Sequence, residues 1–137
     1  MSGPYKDWRC ELPATLDAVE KICRDFHHWC LAACKGLNCF SAELLLREAL
    51  TNSVLHGCLG DAGKRISCAI RAKEDRLVIA IRDEGEGFDW RSVWNRRTDP
   101  SAVHGRGIEI LRRYASLVRF SRTGNSVMIV KRYEATA

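Results

Sequence analysis

The chain has no apolar run approaching the ~20 residues that cross a bilayer, and its N-terminus lacks the basic-then-apolar layout of an export signal. Those two absences argue against a membrane-spanning or secreted protein, so a cytoplasmic location is expected, with no membrane partner. The G-x-x-x-x-G-K-S/T run of a Walker phosphate loop is missing, and no G-x-G-x-x-G follows a first strand, which excludes the dinucleotide fingerprint. No internal repeat, low-complexity segment or linker interrupts the chain. What is present is 137 residues, 46% hydrophobic and 28% charged, an ordinary composition for one packed domain. That domain is expected over residues 9–133, with 1–8 as an N-terminal tail.

The seven cysteines are odd in number and come without an export signal, which argues for free thiols rather than a disulfide framework. Cys23, His27, Cys30 and Cys34 fall on one face of a predicted helix, so a metal site is geometrically conceivable. Val19, Ile22, Phe26 and Trp29 lie on or beside the same stripe, however, and buried cysteine commonly acts as apolar filling. Packing is the favoured reading. The net charge of +5 is uneven: residues 91–122 hold eight arginines against Asp99 and Glu109. A solvated face, a nucleic acid, a polyphosphate ligand and an acidic protein partner all suit such a stretch, and composition does not choose among them.

The pattern predicts a strand over Arg9–Pro13 and a helix capped by Thr15 or Asp17 that stops at Gly36. Ser41 is expected to cap a second helix, Ala42–His56, with Gly57 just beyond it. Arg65–Arg71 and Leu77–Arg82 read as a hairpin, and Trp90–His104 as a long loop with at most a short helical turn. A third helix opens at Gly105–Gly107, and Leu117–Arg122 with Ser126–Arg132 forms a last hairpin. This order predicts an α/β (α+β) sandwich, a mixed and mainly antiparallel sheet covered on one face by three helices.

Three motifs sit on these elements. Glu48, Asn52 and His56 recur at i, i+4 and i+8 and so share one helix face. Alone this reads first as an ordinary amphipathic helix with a polar outer face, but an internal Asn is mildly unfavourable and invites a reason. Its amide oxygen is a suitable hard ligand for Mg²⁺, and a carboxylate one turn earlier can take a proton from a nucleophile. Asp83-Glu-Gly85-Glu-Gly87-Phe-Asp89 follows an apolar strand. A carboxylate there can accept a hydrogen bond from an exocyclic amine such as that of adenine, and the glycines let the backbone come close. As a lone motif it is also a plain acidic turn. His104-Gly105-Arg106-Gly107-Ile108 opens a helix, where exposed N–H groups and an arginine suit an anion, although a flexible helix start has the same composition.

In this order the three resemble the N, G1 and G2 boxes of the GHKL, or Bergerat-fold, ATPases. Within that superfamily the chain is similar to the anti-sigma-factor serine kinases, from about Glu11 to Arg132. The resemblance implies ATP and Mg²⁺ as cofactors. It makes Glu48 the general base that activates a serine hydroxyl on a partner, and Asn52 the Mg²⁺ ligand. Asp83 is implied to read the adenine amine, with Gly85 and Gly87 shaping the base pocket. Gly105, Arg106 and Gly107 are implied to cradle the phosphates, and Ser126 to lie beside the adenine. His56 is given a packing or capping role, and Arg91–Arg106 that of a lid whose Arg96, Arg97 and Arg106 can reach the triphosphate. The implied partners are a sigma factor and a STAS-type antagonist phosphorylated on serine, with the chain acting as a homodimer. The alternatives are a catalytically silent nucleotide-binding module that switches partners, a kinase for some other regulator, and a basic nucleic-acid-binding domain.

Overall fold

The computed structural model describes residues 6–95 and 107–133. Helix α1 (Leu16–Ala33) starts at Thr15, whose hydroxyl oxygen accepts the Ala18 N–H at 3.2 Å. Val19, Ile22, Cys23, Phe26 and Cys30 recur every three or four residues and form its buried face. Cys23, Cys30 and Cys34 are therefore part of the core. His27 turns to α2 instead, where its Nδ1 lies 3.1 Å from Glu43 Oε2 without hydrogen-bond alignment. Among the described residues no three His, Cys, Asp or Glu side chains are grouped to hold a metal.

Helix α2 (Cys39–Asn52) begins earlier than the Ala42 start read from the sequence, because Asn38 and not Ser41 is the cap. Asn38 Oδ1 accepts the Ser41 N–H at 3.1 Å, and the Ser41 hydroxyl donates back to the Asn38 carbonyl at 3.1 Å. Both residues suit a cap, but Ser41 is engaged inside the first turn. The far end lies where it was expected, at Gly57, but the last turn, Ser53–Gly57, is π-helical, and in it the Cys58 N–H donates to the Ser53 carbonyl at 2.8 Å. Such turns recur at functional sites. Arg47 joins the two helices by pairing with Glu20 of α1 and with Glu43.

Five strands follow or precede these helices: β1 (Lys6–Pro13), β2 (Arg65–Ala72), β3 (Arg76–Asp83), β4 (Leu117–Phe120) and β5 (Ser126–Arg132). Strand β1 starts at Lys6 rather than Arg9, since its ladder with β2 runs on to Lys6 opposite Ala72. The spatial order is β1-β2-β3-β5-β4, and every neighbouring pair is antiparallel. The expected mixed sheet is thus corrected to an antiparallel one. The reason is connectivity: two helices between β1 and β2 carry the chain back to the end it left, so β2 must run the opposite way. Between β3 and β4 come the short α3 (Trp90–Asn95) and α4 (Gly107–Tyr114).

Inward residues Ile66, Ile70, Leu77, Ile79, Ile81 and Ile129 are at most 2% exposed and pack beneath α1, α2 and α4. Lys131 is also buried, and its Nζ donates to the Tyr114 carbonyl at the end of α4 (3.1 Å), so a cation from the sheet caps that helix. At the other edge Phe26 lies against Trp8 and Trp29 with ring centroids 5.9 and 6.0 Å away. Since Phe26 is fully buried, Phe26→Ala is expected to cost about 3–5 kcal/mol. Urea unfolding checks this: the midpoint falls at unchanged slope. A loss below about 1 kcal/mol, the scale of an ordinary surface change, would contradict this packing.

Candidate functional site

Asp83 ends β3 with its side chain on the helix-covered face, 5% exposed. A buried carboxylate needs donors. Its Oδ1 accepts the Gly85 N–H at 2.8 Å, and the Ser53 hydroxyl reaches it from the π turn. Burial pushes its pKa above the usual aspartate range, and these hydrogen bonds together with the Lys64 charge offset only part of that.

Two glycines let the loop after β3 take its path. A Cβ on Gly85 would stand 1.9 Å from the Gly57 carbonyl oxygen, so the loop and the π turn meet backbone to backbone. Gly87 has φ +93°, and a Cβ there would fall 1.8 Å from the Thr123 carbonyl oxygen. That oxygen accepts the Phe88 N–H at 3.0 Å, and the Asn125 carbonyl accepts the Asp83 N–H at 2.9 Å. The loop is held by α2 on one side and by the β4–β5 turn on the other.

Glu48 and Asn52 come from α2, one turn apart. Glu48 is half-buried, which raises its pKa, while the Arg47 charge opposes the shift. The Asn52 Nδ2 is buried with no hydrogen-bond partner, an arrangement that costs about 1–3 kcal/mol. Asn52, Ser53, Asp83 and Ser126 line one cavity, walled by Ala49, Leu111, Phe88 and Phe120. Its free volume is about 10 Å³, room for no more than a water. The Phe88 and Phe120 rings wall it, edge to face at 5.9 Å. A more open hollow of about 310 Å³ adjoins it, bordered by His56, Gly57, Lys64, Glu86, Gly87 and Phe88 among others. His56 stacks on Phe88 at 5.7 Å, and Trp90 stacks on Phe120 at 5.0 Å.

The structure thus brings Asn52 and Asp83 onto one cavity, which Ser126 borders from the start of β5 although the register sets it opposite Arg82 on the outer face. It also ties Gly85 to Asp83 and sets Gly87 against the β4–β5 turn. Glu48 shares α2 but does not line that cavity. Gly107 opens α4, whereas Gly105, Arg106, Arg96 and Arg97 lie outside the described residues. Arg91 lies over the Trp90 ring, 4.5 Å from its centre. Ser53, Phe88, Leu111 and Phe120 were not singled out by sequence. Ser53 and Phe88 adjoin motif residues and so carried a weak signal, while Leu111 and Phe120 carried none, since only helix packing and strand order bring them here.

A family model described as a histidine kinase-like ATPase domain matches residues 12–131. Among solved structures, the histidine kinase domain of a blue-light activated histidine kinase from Erythrobacter litoralis is similar, with a TM-score of 0.52 at 14% identity. The likeness covers 88% of this chain, and this chain spans only 60% of that one. At such identity it speaks for the fold alone. Among curated proteins, none matches the chain in sequence.

The raised pKa of Asp83 has a consequence for stability. Between 3.8, the ordinary aspartate value, and its own higher value, the folded chain binds the proton that the unfolded chain has released. Stability from this group is therefore full below 3.8 and is lost as pH rises through the folded value. Asp83→Asn removes that loss and keeps an oxygen for the Gly85 N–H. The ligand-free variant is expected to melt at pH 7 no lower than the wild type and to lose less stability across the acid range. Melting temperatures recorded against pH check this, and a clear drop at pH 7 would contradict it.

Proposed function

The chain belongs to the histidine kinase-like ATPase domain family, and from that premise we propose that it is an ATP-dependent protein serine kinase of the anti-sigma-factor type. Membership itself implies ATP binding, usually with Mg²⁺. The residues present suit that pair: Asn52 lines the cavity with its amide nitrogen unpartnered and carries an amide oxygen of the hard type Mg²⁺ takes, and Asp83 offers a buried acceptor where the loop backbone lies close.

The observation that carries the kinase reading is Glu48, a half-buried carboxylate held above the usual glutamate range by burial. It stands one helical turn before Asn52, on the helix that leads to the cavity. A carboxylate of raised pKa is a better base than one in water, and phosphoryl transfer otherwise asks for positioning and charge neutralisation. Bound with Mg²⁺, ATP supplies the transferable phosphoryl group. The Asn52 amide oxygen would hold the metal, Asp83 would accept from the adenine amine, and Ser126 would flank the base. Gly85 and Gly87 keep the loop near enough to shape the base pocket. Gly105, Arg106 and Gly107 are assigned to the phosphates. Glu48 would take the proton of the attacking serine hydroxyl.

Partners follow from the resemblance to the anti-sigma-factor kinases: a sigma factor, a STAS-type antagonist as the serine substrate, and a second copy of the chain. Incubation with labelled ATP, Mg²⁺ and the antagonist tests the reading, and phosphoserine on the antagonist is expected. Glu48→Gln is expected to lower the transfer rate about 10²–10⁴-fold, while ATP still raises the melting temperature of the variant. The acid limb of the wild-type rate should lie above 4.5, the ordinary glutamate value. ATP binding without any phosphoserine would leave a nucleotide-binding partner switch and remove the kinase.

A further inference from the structure

The cysteines hold a feature that the nucleotide reading does not use. All seven are free thiols; six are buried, and Cys10 alone is partly exposed. It lies on β1, an edge strand, and shares the helix-covered face of that strand with Trp8 and Leu12. The ladder sets Cys10 directly opposite Cys68 of β2. Residues paired in this way have Cα atoms about 4.5–5.5 Å apart, inside the span of about 4.4–6.8 Å that a disulfide bridges. The two side chains leave the sheet on the same face, and the Cys68 thiol donates a hydrogen bond to the Cys10 sulfur.

The pair is asymmetric in the way that an oxidation needs. The hydrogen bond from Cys68 holds the Cys10 thiol below its usual range, against the opposing effects of burial and of Asp25 on α1. Cys68 is 2% exposed, and the same hydrogen bond together with burial keeps its own proton in place. A thiolate that solvent reaches is the attacking form, and a second thiol in contact with it resolves the product. The other sulfurs lack one half of this arrangement. Cys23 of α1 neighbours both members of the pair but is fully buried, and burial pushes it up to about 12. Cys34 is brought down to about 7, chiefly by a hydrogen bond from Cys30, yet it is only 3% exposed.

We propose that Cys10 and Cys68 are an oxidisable pair that closes into a reversible cross-strand disulfide when a peroxide is present. The Cys10 thiolate attacks one peroxide oxygen and the O–O bond breaks. Cys10 becomes a sulfenic acid, and the other oxygen leaves as an alcohol or water with the proton that Cys10 gave up. The Cys68 sulfur then attacks the sulfenic sulfur, the S–S bond forms as the S–O bond breaks, and the oxygen leaves as water with the Cys68 proton. The two thiols are oxidised and the peroxide is reduced.

The test uses the reduced full chain and hydrogen peroxide, with thiols counted by maleimide labelling in denaturant and bonds located by non-reducing tryptic mapping. Arg9 and Lys21 bracket Cys10, and Arg65 and Arg71 bracket Cys68, so each falls in a peptide with no other cysteine. Labelled thiols are expected to fall by two from seven as those two peptides become joined, and to return with dithiothreitol. Cys10→Ser is expected to slow the loss of thiols about tenfold or more. In Cys68→Ala the reaction should stop at a Cys10 sulfenic acid that dimedone captures. Melting temperatures of the reduced variants separate chemistry from misfolding, and the wild-type map decides by itself should Cys68→Ala fail to fold. A disulfide formed elsewhere, at Cys34 above all, would overturn the proposal. So would a Cys10–Cys10 bond between two chains, unchanged thiol loss in Cys10→Ser, or no thiol loss in the wild type.

Discussion

The backbone contact between Gly57 and Gly85 is the constraint on which the rest of the site depends. A helix end and a strand end meet there with no side chain between them. No larger residue at position 85 could allow that approach, because its Cβ would occupy the space of a carbonyl oxygen. The contact sets Ser53 within reach of the Asp83 carboxylate and fixes where the loop leaves β3. The π turn contributes to the same end. Its five-residue spacing lets Cys58 bury fully while Gly57 faces Asp83.

Around this contact the protein carries costs that a purely structural site would avoid. Asp83 and Glu48 both lose solvent, and the Asn52 amide nitrogen is buried unpaired. Each is unfavourable on its own. They are sustained because α2 is also a principal core helix: Ala42, Leu45, Leu46 and Leu50 are fully buried. The apolar side of α2 thereby holds its polar side in a position that the polar groups would not choose alone. Concentrated local cost on a rigid element is what a pre-organised binding site requires. The aromatic series His56, Phe88, Phe120 and Trp90 fills the space that the polar groups leave.

Much of this was legible in the sequence, and the parts that were not share a cause. Helix α1 could be read from Thr15 and the spacing of Val19, Ile22 and Phe26, and the hairpin of β2 and β3 from alternation. Asn52 and Asp83 could be named from local motifs. The start of α2 was misplaced because Asn38 and Ser41 are both competent caps, and choosing between them depends on which side chain the folded turn engages. The mixed sheet was an error of topology, since periodicity says nothing of which way a strand returns after two helices. Phe120 belongs to the cavity through the strand order, in which β5 inserts between β3 and β4, and Leu111 through the packing of α4 on α2. That insertion is a long-range property, invisible to any local window.

The two faces of the sheet follow one alternation and face opposite demands. Inward positions of β2 and β3 are mostly isoleucine and leucine, which bury beneath the helices. Had the outward positions been equally large and apolar, the open face would invite pairing with any similar surface. They are instead mostly small or polar, with Ala69, Ala80, Ser67, Ser126 and Arg82 on the inner strands, Arg9 and Arg119 on the outer ones, and Val78, Val130 and Leu117 confined to one row. Alanine offers little area to a non-specific contact, and the arginines keep the face charged. The alternation that fills the core on one side thus leaves, on the other, a face whose apolar area is broken up by small and charged side chains.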